Sequence, residues 1–248
     1  MKRESILSVS STLDHQINQA AFWAAVVALA TGVIQFFLPL DVPGGYDASA
    51  SERVAWLTAN SGAFILGWTN QIAAMISLSG VFAGIAWKIA RTHPLHAILA
   101  AAFVALASMA FFINKFMAVW TIPRLADAIA TESPASEMAE ILLPILNVSF
   151  PFSLYTSLDY LGFWLYSFFA LLVAIPLWRG ASAAKATAVG LGVFGLLFQG
   201  LVVSVMAGAI AGTELEAYVA GLFLPLLVVM VAGLFLFRRD STVGNQAS

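Results

Sequence analysis

Lys115 and Asp159 are the residues of this chain whose types and placement are best suited to chemistry. Each lies inside a long apolar stretch, where an isolated charge is unfavourable. The two stretches are consecutive, and with helical geometry both side chains fall roughly 10 Å below the same end of the stretches that hold them. We therefore predict that they meet as an ion pair, which could join two helices, bind a ligand or transfer a proton.

Other polar side chains are predicted to lie at a similar depth or slightly deeper. Asn114 adjoins Lys115, and Tyr155 precedes Asp159 by one helical turn, so it shares the same face. The remaining members of this group are the amides Gln35, Asn70, Gln71 and Gln199. Together these side chains predict a polar cluster in one half of a helical bundle, where a lipid, another small molecule or an ion could bind.

The same residues also have a purely structural interpretation. Amide side chains inside a membrane commonly link neighbouring helices through hydrogen bonds. The long side chain of Lys115 could also extend to the polar interface instead of pairing with Asp159. The sequence therefore leaves open whether the pair is a helix–helix contact, part of a binding pocket or an acid–base couple.

No other residues assemble into a catalytic or cofactor site. The chain has no cysteine, and it contains no phosphate-binding loop, nucleophile elbow or HExxH motif. His15, His93 and His96 lie at or beyond the ends of the apolar stretches, and Pro94 favours a turn between the last two. We therefore expect no catalytic residues, no metal and no cofactor, and we favour a binding role over an enzymatic one.

The elements that position the polar cluster are long apolar segments. The chain is 61% hydrophobic and 10% charged, whereas soluble domains average roughly 25% charged residues. Six stretches could cross roughly 30 Å of hydrocarbon. They lie near Ala20–Leu40, Gly62–Ala90, Leu95–Ile122, Ser153–Trp178, Lys185–Ala211 and Ala217–Phe237. They predict an all-α, polytopic bundle of six helices that forms one transmembrane domain over residues 1–248, with the first stretch retained and not cleaved as a signal.

The charge of the connecting segments alternates along the chain. Basic residues occur at Lys2, Arg3, Lys88, Arg91, Arg179, Lys185, Arg238 and Arg239, and the segments between these groups are acidic. Because short basic loops stay in the cytoplasm, we predict that both termini are cytoplasmic and that the 41–61 and 123–152 loops are external. Arg53 and Arg124 are then the only external bases. This pattern predicts a bacterial inner membrane protein, and the net charge of −2 gives no reason to expect nucleic acid.

The two external loops are predicted to contain short helices. Ser49 and Glu52 match a capping box, and a second short helix is expected over residues 124–131. Ser133 is expected to cap a third helix in which Pro134 is the first residue.

Residues 124–150 are predicted to form a lid over the polar cluster. The side chains expected to pack on the bundle are Leu125, Ile129, Met138, Ile141 and Leu142. The acids expected to stay exposed are Glu132, Glu137 and Glu140. The tryptophans predicted to anchor at interfaces or in the external loops are Trp23, Trp56, Trp68, Trp120 and Trp178.

Small residues recur every four positions on two of the stretches. Gly80 and Gly84 do so on the second stretch. The fifth stretch carries Gly200, Ser204, Gly208 and Gly212. Such seams allow close helix packing, either within the chain or against another membrane protein or a second copy. Membrane lipids are the other expected partners.

The segment ERVAWLTANSGAFILGW, Glu52–Trp68, leads into the second stretch. It resembles a group of bacterial six-helix integral membrane proteins of unknown function, in which an external helix ends in Asn just before the second span. The resemblance implies the architecture of most of the chain and no particular activity.

We predict a non-enzymatic integral membrane protein, either an accessory subunit or a binder of a lipid or small molecule at an outward-facing polar cluster. A small solute transporter is the alternative, although no inverted repeat or matching pair of broken helices is evident. A membrane enzyme acting on an outer-leaflet lipid is a second alternative, with Lys115 and Asp159 as acid–base residues.

Overall fold

A computed structural model describes residues 2–150, 152–211 and 214–241. Over this part of the chain the regular elements are all helical. They are α1 (Lys2–Gln35), a 3-10 turn (Gly45–Asp47), α2 (Ala50–Ile89), α3 (Pro94–Trp120), α4 (Ile122–Ala130), α5 (Ser136–Leu146), α6 (Leu154–Trp178), α7 (Ser182–Met206) and α8 (Leu215–Ser241). The segments formed by α1, α2, α3, α6, α7 and α8 are long and apolar enough to cross a membrane. The predicted all-α bundle of six membrane-spanning helices is confirmed.

The six long helices form a closed ring. Each packs on the next in chain order, and α8 completes the ring by packing on α1. A Cβ atom on Gly84 would lie 2.4 Å from Ala21 Cβ and 3.1 Å from the ring of Phe237. The beginning of α1 and the end of α8 therefore lie at the same end of the ring. We call the other end, which carries the 36–49 and 121–153 connections, the loop-rich end.

The glycines of α2 are confirmed as a close-packing seam, whereas the seam predicted on α7 is not regular. Besides the contact at Gly84, a Cβ on Gly80 would lie 3.0 Å from Ala24 Cβ in α1. Gly200 has open space around it. Gly208 lies beyond the end of α7, and Gly212 is outside the described residues.

Two helices end earlier than predicted. Helix α1 stops at Gln35 instead of Leu40. The residues that follow form a tighter turn, in which each N–H donates to the carbonyl three residues earlier, and Pro39 has no N–H with which to continue the helix. Helix α7 stops at Met206 instead of Ala211. Gly208 there has a φ of 69°, and its N–H donates to Val205 while Ala209 N–H donates to Ser204. This is a Schellman end, which glycine favours because it can adopt the left-handed conformation without strain.

Helix α2 combines the predicted external helix with the second span. The predicted capping box is present, since Ser49 N–H donates to Glu52 Oε2 at 2.9 Å and Glu52 N–H donates to Ser49 Oγ at 3.3 Å. A kink occurs at Asn60, whose φ and ψ are −118° and 18°. Asn60 Nδ2 donates to the carbonyl of Trp56 at 2.9 Å. The first three turns of α2 are thus set at an angle to its membrane-spanning part.

At the loop-rich end, α4 packs against α2 and α3, and α5 packs against α4 and α6. The predicted cap at Ser133 is wrong, because α5 begins at Ser136 and Ser133 Oγ accepts a hydrogen bond from Ala135 N–H before the helix starts. Helix α5 buries Ala139 and Leu143, which lie one turn apart on one face.

The buried face of α5 differs from the predicted one by a rotation about the helix axis. Met138 and Ile141 are 59% and 61% exposed, because they lie beside the face that Ala139 and Leu143 bury. Leu125, Ile129 and Leu142 are half-buried. Glu132, Glu137 and Glu140 are exposed, as predicted.

Candidate functional site

Lys115 and Asp159 form the predicted ion pair. Lys115 Nζ on α3 lies 2.6 Å from Asp159 Oδ1 on α6. The side chains are 4% and 26% exposed, so Lys115 does not extend to an interface. Asn114 Nδ2 donates to the same Asp159 oxygen at 3.1 Å. Two donors from α3 therefore hold one carboxylate oxygen of α6.

Three aromatic rings also lie near the Lys115 ammonium. Its Nζ lies 5.4 Å from the ring centre of Trp68, 5.3 Å from Phe111 and 5.4 Å from Tyr155. It also donates to the Tyr155 hydroxyl at 3.3 Å. Ring faces attract cations, most strongly when water is excluded, so these rings reduce the cost of burying the charge. Lys115 therefore has two hydrogen-bond partners and three aromatic neighbours within the protein.

Asp159 differs from Lys115 because half of its carboxylate is available. Oδ1 accepts from Lys115 and Asn114, whereas Oδ2 has no hydrogen-bond partner among the described residues. The side chain of Asp159 lines a cavity of about 520 Å³ at the loop-rich end. Asp159 Oδ2 is therefore a charged acceptor that a molecule in the cavity could reach.

The cavity lies between α2, α3, α6 and α8. Its apolar walls include Trp68, Phe163 and Phe223, and Gln71 and Thr156 add polar groups. Phe223 is 46% exposed, and Ala220, which also lines the cavity, is exposed as well. The cavity is therefore open on the side that α8 lines.

The roof of the cavity is formed mainly by the 40–46 segment. Only the end of the predicted 124–150 lid, at Val148 and Ser149, lines the cavity, while α4 and α5 lie to one side. The prediction that the whole segment covers the site is thus wrong. Trp68 was expected at an interface, yet it is buried and its Nε1–H donates to the carbonyl of Leu40 at 3.0 Å, which ties the roof to α2.

Arg53 fastens the roof from the first turns of α2. It is 1% exposed, and its Nη1 lies 2.9 Å from Asp41 Oδ2. Its Nη2 donates to the carbonyl of Gly45 at 2.9 Å, and its guanidinium lies 4.8 Å from the ring centre of Phe150. The sequence marked Arg53 only as an external base. Its role depends on a turn around Gly45 that brings Asp41 back beside α2.

The predicted polar residues do not converge on one point. Gln35 Oε1 accepts from Asn70 Nδ2 at 2.9 Å and from Gln71 Nε2 at 3.0 Å, which joins α1 to α2. Among these three amides only Gln71 also lines the cavity. Gln199 lies elsewhere and joins α7 to α6, where it bonds to Trp164 Nε1 and to a serine hydroxyl. Most of the amides are therefore helix-to-helix links.

A cluster of hydroxyls lies deeper in the bundle and was not anticipated. Ser79 Oγ lies 2.6 Å from the Tyr166 hydroxyl and 2.9 Å from Ser108 Oγ. Ser108 and Tyr166 are each seven residues, two turns, further from the loop-rich end than Lys115 and Asp159. Single hydroxyls in apolar helices give little sequence signal, because each can also bond to its own backbone.

Comparisons with known proteins found no counterpart for this arrangement. No protein-family model, no curated protein and no solved structure matched the chain. The resemblance to bacterial six-helix membrane proteins therefore stays a prediction, and the function must be inferred from the site itself. That site belongs to a six-helix bundle with the character of a multi-pass integral membrane protein.

Proposed function

We propose that this membrane protein binds a small amphiphilic molecule in the cavity beside Lys115 and Asp159. The main support for this proposal is the cavity of about 520 Å³, which combines mainly apolar walls with one partly exposed carboxylate. Ligand sites usually have roughly 300–1,000 Å³ and a few polar groups that orient the ligand. We infer that a lipid-like molecule enters on the open side that α8 lines.

Binding without chemistry is the favoured role. The Lys115 ammonium donates to Asp159 and to the Tyr155 hydroxyl, which favours a fixed ion pair over an acid–base residue that exchanges protons with a ligand. No histidine lines the cavity. An accessory subunit that holds a lipid or other small molecule fits this arrangement better than a lipid-modifying enzyme.

The alternation of loop charge supports an outward-facing cavity. Because basic loops stay cytoplasmic, the loop-rich end would face the outside of a bacterial inner membrane. The absence of cysteine makes a labelling test simple. A single cysteine at the exposed position Pro43 should react with an impermeant reagent in intact cells, whereas one at Ser182 should not. The reverse result would overturn this orientation.

Solute transport is a second candidate, favoured by the hydroxyl cluster below the cavity. Met75 lines the cavity, and its carbonyl accepts from Ser79 Oγ at 2.7 Å, so polar groups continue inward from the site. Transport requires the cavity to open toward the other end in a second state. Uptake by vesicles containing the purified protein, compared with Tyr166→Phe, would test this role.

Native purification tests the binding proposal. Ala220→Phe should fill the cavity from the α8 wall without touching the ion pair. Ala217→Phe is a matched control, because Ala217 is exposed near the start of α8 and does not line the cavity. Native mass spectrometry should show a bound small molecule on the wild type and on the control, and its loss from Ala220→Phe. Equal retention by both variants would contradict the proposal.

A further inference from the structure

The charge that a ligand can reach in the cavity is negative. Among the described residues, three charged side chains line it: Asp41, Lys115 and Asp159. Lys115 is buried and directed at Asp159 Oδ1, Tyr155 and the neighbouring rings. Asp41 is engaged by the guanidinium of Arg53. Asp159 Oδ2 accepts no hydrogen bond from the described residues, and the Asp159 side chain is 26% exposed beside the cavity.

An anionic head would be poorly accommodated at this position. It would approach Asp159 Oδ2 at close range, and like charges repel strongly in a poorly hydrated site. It would also compete with Asp159 for the Lys115 ammonium, whose side chain is only 4% exposed. A cationic hydrogen-bond donor is attracted by Asp159 Oδ2 at closer range than it is repelled by Lys115, whose charge is already paired with Oδ1, and it can donate to the acceptor sites of Oδ2.

Given the proposed binding function, on which this step depends, we infer that the ligand is an amphiphile with a primary ammonium head. The ammonium donates to Asp159 Oδ2, while Lys115 and Asn114 continue to hold Oδ1. The apolar part follows Phe163 and Phe223 toward the opening beside α8. Both an aminated lipid headgroup and a single-chain amine present this chemistry.

Three probes with the same alkyl chain separate the head chemistries. Dodecylammonium, dodecyltrimethylammonium and dodecyl phosphate are titrated onto the protein in phosphatidylcholine nanodiscs, whose lipid has no N–H donor. Saturable binding is measured by native mass spectrometry. The primary ammonium should bind about tenfold more tightly than the trimethyl analogue, since only it forms charge-assisted hydrogen bonds. Dodecyl phosphate should bind most weakly.

Two variants identify where the probes bind. Ala220→Phe should abolish the binding of all three, whereas Ala217→Phe should leave it unchanged. The double variant Lys115→Met/Asp159→Asn should keep the cavity but lose the preference for the primary ammonium. The ranking on the wild-type protein stands as a test even where the double variant does not fold.

The source of the head is tested by adding phosphatidylethanolamine to the nanodiscs. If phosphatidylethanolamine competes with dodecylammonium, the site binds the lipid headgroup. If it does not compete, the site binds a single-chain amine. Equal affinities, or a preference for dodecyl phosphate, would overturn the ammonium assignment while leaving the binding function intact, provided that Ala220→Phe still blocks binding. Binding that is unaffected by Ala220→Phe would overturn the binding function itself.

Discussion

The two halves of the helix ring are built on different principles. In the half away from the loops, helices meet closely: a Cβ on Gly190 would lie 2.8 Å from Val229, and the rings of Phe82 and Phe169 stack at 4.5 Å. In the loop-rich half, α2, α6 and α8 are separated by the cavity. The half away from the loops is closely packed at these points, whereas the loop-rich half also contains polar groups around open space.

This difference shows how a membrane bundle can carry an open site. Lipid provides no hydrophobic drive for helix association, so close packing and hydrogen bonds must hold the ring together. In the closely packed half, α1, α2 and α8 make such contacts around Gly84. The loop-rich half can then hold a cavity and a buried ion pair, which are unfavourable features on their own.

The largest expected effect comes from breaking the ion pair in the open half. Asp159→Leu leaves the Lys115 ammonium buried without its carboxylate, which should destabilise the protein by about 3–5 kcal/mol. Lys115→Met/Asp159→Leu removes both charges and should cost much less. Unfolding in detergent by denaturant titration measures both values. A double variant as unstable as the single one would show that the pair itself, and not the isolated charge, matters.

The closely packed half should respond to added volume instead of to charge. Gly84→Ala places a Cβ 2.4 Å from Ala21 Cβ, an overlap that should cost about 1–3 kcal/mol. Gly200→Ala is the matched control, because its Cβ would meet nothing and alanine favours the helix. The same unfolding titration should show a lower free energy of unfolding for Gly84→Ala and a higher one for Gly200→Ala. Destabilisation by Gly200→Ala would instead reveal a second chain packed on that face.

The roof of the open half should depend on the planar group of Arg53. Arg53→Lys keeps the charge but replaces the two nitrogens that bond separately to Asp41 and to the Gly45 carbonyl with a single one, so a loss of about 1–2 kcal/mol is expected. Arg124→Lys is a control, because Arg124 is exposed beside Trp120. Proteolysis of the 41–48 segment should accelerate only in Arg53→Lys. Equal rates in both variants would contradict the role of Arg53.

The smallest effect is expected at the capping box of α2. The pKa of Glu52 is lowered because its carboxylate accepts hydrogen bonds from the Ser49 side chain and backbone. A lowered pKa stabilises the folded state above the ordinary value of 4.5, and this stabilisation is lost as pH falls through the lowered value. Ser49→Ala should cost about 1 kcal/mol at neutral pH. The difference from wild type should shrink below pH 4.5; a constant difference would exclude this linkage.

Features with a local cause could be predicted from the sequence. The six spans follow from apolar length, and the capping box follows from Ser49 and Glu52 at fixed spacing. The Lys115–Asp159 pair was also predictable, because consecutive helices hold two opposite charges at one depth and a lone buried charge is costly. In each case the decisive interaction lies within one segment or between adjacent ones.

Other features depended on how distant segments meet. Depth alone grouped Gln199 with Lys115, but helix rotation turned Gln199 toward Trp164. The buried face of α5 was misjudged for the same reason, since its apolar residues lie on more than one side and contact with the bundle selects Leu143.

The sequence by itself determined the membrane-spanning helices and the pairing of the two buried charges, because length, polarity and depth are properties of each segment. Only the tertiary structure decided that Trp68 faces Lys115 and that Arg53 holds Asp41. It also decided that a cavity remains beside Asp159. These features arise from helix rotation and from the course of the roof segment, which are fixed by packing between residues far apart in the chain.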